Sequence, residues 1–142
     1  MFALVSYISA IPQAQPPVRS FPCTNISGGK GTFYDPNVSA EADHIPGVNA
    51  CLLPNPTDGL WAAAPVGCFG KLSNGTTDRT LCGTKIAVTW QGRNLTVPIL
   101  DICMGCQENG MDFTFATANI FNPADLTITQ REMDGAAWTT SA

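Results

Sequence analysis

Asp112 is a carboxyl whose setting could do chemistry. It lies in Gly110-Met111-Asp112-Phe113-Thr114, flanked by apolar Met111 and Phe113, with Phe115 just beyond. Apolar surroundings favour the neutral form of a carboxyl group, and a neutral acid can protonate a leaving oxygen such as that of a glycosidic bond. A structural role competes: Asp112 precedes a stretch that reads as a short helix ending before Pro123, and it could cap that helix. Asp101 closes an alternating apolar run, where it either hydrogen-bonds a ligand, braces the loop that holds Asp112, or forms a turn. His44 is the single histidine. A nucleophile–His triad would have to use it, and no second His is present to share a metal, so it reads as a surface or loop residue.

Six cysteines, Cys23, Cys51, Cys68, Cys82, Cys103 and Cys106, are spread through 142 residues. An even number in a small domain suggests three disulfides, with the connectivity open. Cys103-x-x-Cys106 reads as a structural motif. A redox motif would want a βαβ setting, and a zinc site would want a second pair at ligand spacing. Asn25, Asn37, Asn74 and Asn94 each open an Asn-x-Ser/Thr sequon, whereas Pro56 disqualifies Asn55. Four sequons in a Cys-rich chain point to a secreted, extracellular glycoprotein. Phe2 to Ile11 is apolar and reads as a weak or clipped signal peptide, cleaved after Ala10 or Ala14, although the basic leading region is missing. It is too short to span a membrane.

Charged residues make up 13% of the chain, with net charge −4, and no Lys/Arg cluster offers a surface to nucleic acid or anionic membrane. Residues 12–29 are rich in Pro and Gly and read as a poorly structured lead-in, so the expected division is 1–29 for signal and lead-in and 30–142 for one folded domain. Gly28-Gly29-Lys30-Gly31-Thr32 lacks phosphate-loop spacing and reads as a flexible entry to a first strand, Thr32-Phe33-Tyr34. Residues 36–59 read as loop and 60–64 as a short buried strand or one helical turn. Ile86, Val88 and Trp90 alternate with polar or small residues, as do Leu95, Val97 and Ile99, around Gln91-Gly92-Arg93, which is a hairpin signal. Alternation returns from Leu126, and Trp138 closes the domain. Trp61, Trp90 and Trp138 each sit in an apolar run and read as core. Short strands, little helix and many turns define an all-β barrel or sandwich.

In order along the chain, Gly31-Thr32-Phe33-Tyr34, Ala50-Cys51, Trp61-Ala62-Ala63-Ala64-Pro65, Cys82-Gly83-Thr84-Lys85, Ile99 to Cys106, and Gly110 to Thr114 resemble the landmarks of expansin, loosenin, barwin and rare-lipoprotein-A proteins. The resemblance implies a six-stranded double-psi β-barrel with short helices and long loops, stabilised by disulfides. It pairs Cys51 with Cys82 and Cys68 with Cys103, which leaves Cys23 with Cys106. It makes Asp112 the shared catalytic-type carboxylate and places Thr32, Tyr34 and Asp101 along a substrate groove.

The related family 45 hydrolases carry a second carboxylate two residues after the opening-strand Tyr. Here that position is Pro36, and Asp35 comes one residue early; Glu41 and Asp43 stay open as alternatives. Inverting hydrolysis needs such a partner for its water. The departure favours a monomeric protein that binds and loosens cell-wall polysaccharide (cellulose, chitin or peptidoglycan) without bulk hydrolysis. No cofactor and no metal is implied. Two alternatives remain on the same barrel: a polysaccharide-cleaving endoglucanase or lytic transglycosylase, and a barwin-like protease inhibitor or defence-related effector.

Overall fold

The computed structural model describes residues 22–38, 45–121 and 132–141. Six strands and two short helices follow in chain order: β1 (Ile26–Tyr34), β2 (Ala62–Pro65), α1 (Val66–Phe69), β3 (Lys85–Trp90), β4 (Arg93–Cys103), β5 (Gly110–Thr114), α2 (Phe115–Phe121) and β6 (Glu132–Thr140). The strands close into one barrel in the order β1-β5-β2-β4-β3-β6. Two neighbouring pairs, β1 with β5 and β2 with β4, run parallel, and the other four run antiparallel. Among the described strands, closure leaves no unpaired sheet edge.

Alternation along the strands decides which side chains fill the barrel. Ile86 and Val88 of β3, Val97 and Ile99 of β4, Met111 and Phe113 of β5, and Met133, Ala136 and Trp138 of β6 are all buried in one cluster. Phe113 and Trp138 meet edge to face, with centroids 6.2 Å apart and planes at 74°. The β3–β4 hairpin turns on two residues, Gln91 and Gly92, both at positive φ. That is the turn geometry whose twist matches the strands.

β1 begins at Ile26, ahead of the expected start near Lys30, because the glycines that read as flexible serve the strand. A β-carbon on Gly29 would lie 2.4 Å from the Trp138 ring, and one on Gly31 would lie 2.9 Å from Met133 Cβ. Gly28, at φ 71°, adds one residue to β1 between the pairs Ile26↔Trp138 and Gly29↔Ala136. Gly135, at φ 77°, adds one to β6 between Gly29↔Ala136 and Lys30↔Asp134. Each is a β-bulge. A single turn of 3₁₀ helix, Pro22–Thr24, precedes β1, and its Cys23 carbonyl accepts the Trp138 indole N–H at 2.8 Å. The described fold therefore takes in residues that the composition assigned to the lead-in. The proposed signal peptide, Glu41, Asp43 and His44 lie outside the described residues.

All six cysteines are bonded, as expected, but two of the three pairings differ. Cys51–Cys82 forms as the resemblance implied. Cys23 bonds Cys68, and Cys103 bonds Cys106, in place of Cys68–Cys103 and Cys23–Cys106. The physical reason is proximity. The chain turns at Met104-Gly105 as soon as β4 ends, so the Cys103 and Cys106 Cα atoms come within 5.4 Å. Cys23 and Cys68 meet in the core, 3% and 5% exposed. By loop-closure entropy the two long-range bonds contribute about 4 kcal/mol each and the short one about 2 kcal/mol.

Candidate functional site

One row of residues crosses four strands. Thr32 of β1 lies opposite Asp112 of β5, Asp112 lies opposite Ala63 of β2, and Ala63 lies opposite Asp101 of β4. The row follows from the pleat: Met111 and Phe113 point into the barrel, so Asp112 between them faces outward. The small Ala63, 2% exposed, is the spacer between the two carboxylates. Its strand sets their Cα atoms about 10 Å apart, two strand spacings.

The two carboxylates have different surroundings. Asp112 is partly exposed, and its Oδ1 accepts the Thr32 hydroxyl at 3.0 Å. Asp101 is 5% exposed and is held by three donors. Its Oδ1 accepts the Ala50 N–H at 2.8 Å and the Ile102 N–H at 3.0 Å, and its Oδ2 accepts the Tyr34 hydroxyl at 3.0 Å. A buried carboxylate committed to three hydrogen bonds is a structural anchor rather than a base for water. Tyr34 in turn accepts the Trp61 indole N–H at 2.9 Å. Its one proton is given to Asp101, so the hydroxyl has none left to offer a ligand. Burial first, and the neighbouring Asp101 charge second, push the Tyr34 phenol far above its ordinary 10.0 and keep it neutral.

The structure thus joins Thr32 to Asp112, and Tyr34 to Asp101. Asp35 follows β1, and its Oδ1 accepts the Asn37 N–H at 2.9 Å in a local turn. The competing cap role falls to Thr114, whose Oγ1 accepts the Thr117 N–H at 3.3 Å at the start of α2. Trp138 is core as expected, and Trp90 is partly exposed with its indole donating to the Asp134 carbonyl at 3.1 Å. Trp61 is buried, as expected, and its indole N–H also ties it to the site through Tyr34. Asn25, Asn37, Asn74 and Asn94 are all exposed. Among the described residues, no group of three His, Cys, Asp or Glu side chains converges as a metal site.

A second feature adjoins Asp101. Ile45, Val48, Leu52 and Leu53 are 65%, 41%, 71% and 41% exposed, and residues 45–55 carry no charge. Val48, Leu52 and Leu53 line an open hollow of about 250 Å³, together with Gly47, Asn49 and Asn55. The segment is rigidly tied. The buried Asn49 side chain donates to the Leu53 carbonyl at 2.7 Å and accepts the Leu53 N–H at 3.2 Å. Arg79 donates to the Ala50 carbonyl, and Cys51 is bonded to Cys82. Leu52 sits at φ 55°, a conformation that branched side chains rarely adopt. Composition marked this segment only as loop, because Pro, Asn and Gly dominate it; the run Ile45…Val48…Leu52-Leu53 was the available signal.

The closed strand order, with the likeness to solved structures that follows, defines the fold: this chain is a six-stranded double-psi β-barrel. No family model matches it. It is similar to Streptomyces papain inhibitor over 94% of its own length and 100% of that chain, with 22% identity and a TM-score of 0.62. It is also similar to Clavibacter michiganensis expansin over 82% of its length and 50% of that chain, at 19% identity. The TM-score is 0.58 for the apo form and 0.57 for a variant in complex with cellohexaose. A sequence relative, the Allergen Asp f 7 homolog of Arthroderma benhamiae, is 33% identical over 94 residues. The match takes in 66% of this chain but only 27% of that relative, so the chain spans about a quarter of its length.

Proposed function

We infer that this chain is an extracellular protein that binds cell-wall polysaccharide along the row Thr32–Asp112–Ala63, bounded by Tyr34, and loosens it without bulk hydrolysis. The observation that carries the reading is the inequality of the two carboxylates. Asp112 is partly open and braced by Thr32, so it can donate to or accept from a sugar oxygen. Asp101 is locked by Ala50, Ile102 and Tyr34, and therefore does not supply the opposing base that inverting hydrolysis requires. Similarity to an expansin crystallised with cellohexaose supports the substrate class. Three disulfides support an extracellular setting, and the exposed sequons are proposed to carry glycan there. The test is retention of purified protein on cellulose, chitin and peptidoglycan, with network weakening and soluble reducing sugar scored separately. Binding and weakening without sugar release are expected. Abundant sugar release that Asp112→Asn abolishes would replace the reading with an enzyme.

A second reading is favoured by the apolar loop. Four exposed aliphatic side chains on a disulfide-anchored, hydrogen-bonded segment suit a protein partner, since a rigid loop loses little entropy on docking. The end-to-end likeness to a papain inhibitor directs this reading to a thiol protease. Titration of papain-type proteases with the protein tests it, and unchanged protease activity at micromolar excess rejects it.

A further inference from the structure

Cys103 ends β4 two residues after Asp101, and Cys106 lies six residues before Asp112. Their disulfide therefore closes the connection between the strands that carry the two carboxylates. It differs from the other two bonds in span and in having both its cysteines partly exposed, where the Cys51–Cys82 bond has only Cys82 so. Cys23, Cys51 and Cys68 are buried in the core. Cys103 and Cys106 are both partly exposed, and Met104 and Gly105 between them are exposed, Met104 by 62%. The bonds to Cys68 and Cys82 span 45 and 31 positions, whereas this one spans 3, so it removes the least freedom from the unfolded chain. Its reach is local. Gln107, Glu108 and Asn109 are exposed, and the connection is tied at its far end by Gly110 N–H to Gln107 O at 2.8 Å and Lys30 N–H to Asn109 O at 3.0 Å. Gly110 packs closely there, since a β-carbon on it would lie 3.3 Å from Cys106 Cβ.

We propose that the Cys103–Cys106 disulfide is a reducible latch on the site. A dithiol reductant opens it while the two core disulfides and the barrel persist, and opening slackens residues 104–110 and the start of the strand that holds Asp112. The chemistry is thiol–disulfide exchange. A reductant thiolate attacks one sulfur of this partly exposed bond and breaks it. The mixed disulfide then resolves by closure of the reductant's own ring, leaving two cysteine thiols and a cyclic disulfide. Two electrons and two protons pass from reductant to protein.

The test grades dithiothreitol against the folded, oxidised protein, traps free thiols by alkylation and maps them by mass spectrometry. Cys103 and Cys106 are expected to be alkylated at reductant concentrations at least tenfold below those that open Cys23–Cys68 or Cys51–Cys82. The barrel should melt cooperatively as before, and amide exchange should rise at residues 104–112. The double variant Cys103→Ser/Cys106→Ser should show the same local exchange. Simultaneous opening of all three bonds, unfolding on selective reduction, or unchanged exchange at 104–112 overturns the latch. Its effect on the groove rests on the polysaccharide reading: the selectively reduced protein should be retained on polysaccharide several-fold less than the oxidised one, and equal retention overturns that part. Failure of both forms to bind any polysaccharide removes the polysaccharide reading instead, while the alkylation and exchange results decide the latch independently.

Discussion

Thr32 and Asp112 are exact register partners on the parallel strands β1 and β5, and the Thr32 hydroxyl donates to Asp112 Oδ1 across 3.0 Å. A parallel pairing of strands far apart in the chain is what brings a hydroxyl to a carboxylate here. The bond leaves Asp112 oriented but not buried, which suits a group that must meet a ligand.

Asp112→Asn keeps the shape and hydrogen-bonding capacity of the side chain and removes its ionisable carboxyl. Loosening of a polysaccharide network should fall to background, while the melting temperature moves by no more than a few degrees, because the site is partly exposed. Thr32→Val should weaken loosening less and cost about 1 kcal/mol from the lost hydrogen bond. Stress-relaxation of a cellulose or chitin film beside thermal denaturation checks both. Full loosening activity in Asp112→Asn would remove this residue from the site.

Asp101→Ala has the opposite profile. It strands the Ala50 and Ile102 amides and the Tyr34 hydroxyl, and unsatisfied buried donors make such a loss expensive, about 3 kcal/mol. Denaturant titration should show the loss with or without substrate. A change below about 0.5 kcal/mol would contradict the anchoring role, since that is the range of ordinary surface substitutions.

Tyr34 predicts an alkaline limit to stability. In the unfolded chain its phenol titrates at the ordinary 10.0; in the barrel burial and Asp101 raise that value. Below the unfolded value both states hold the proton, and the group gives no pH dependence. Above it only the unfolded chain releases the proton, so stability falls as pH rises. Tyr34→Phe should remove this part of the fall, although it costs about 2–3 kcal/mol near neutrality, because it leaves the buried Trp61 N–H and an Asp101 oxygen without the hydroxyl. Denaturant midpoints for both proteins at about pH 8 and about pH 11, on either side of the tyrosine range, measure it.

Leu52 separates stability from recognition. A branched residue in the left-handed region costs about 1–2 kcal/mol, and glycine relieves that strain while losing about 0.5–1 kcal/mol through extra freedom in the unfolded chain. Leu52→Gly should therefore be neutral to slightly stabilising in thermal melts. Removing its 71% exposed side chain should weaken any protease complex more than tenfold by inhibition titration. Equal inhibition by the variant would move the contact elsewhere.

The barrel was legible wherever alternation was clean, as in Ile86-x-Val88 and Val97-x-Ile99, and Asp112 was legible mainly through the landmark Gly110 to Thr114, whose apolar neighbours fix which way it faces. Trp61 was legible as buried, but its tie to the site was not, because its N–H partner, Tyr34, is 27 residues away. Ala63 was equally silent, since a methyl group carries no chemical signature and matters here only as a spacer. Gly28 and Gly29 read as flexible because composition cannot tell a glycine in a linker from one forced by an approaching Trp138. The disulfide error has the same origin: order along the chain does not report which cysteines a turn folds together.

The bulges at Gly28 and Gly135 cancel. Ile26 faces Trp138 before them and Gly31 faces Met133 after them in one continuous phase, and only Gly29↔Ala136 is out of step. Deleting either glycine alone would shift the phase by one, and such a slip turns side chains to the other face. Either Ile26 would leave the core side or Thr32 and Tyr34 would turn inward. Length changes in these two strands are therefore viable only as matched pairs, one residue in each, so the two glycines should be gained and lost together across descendants of this barrel.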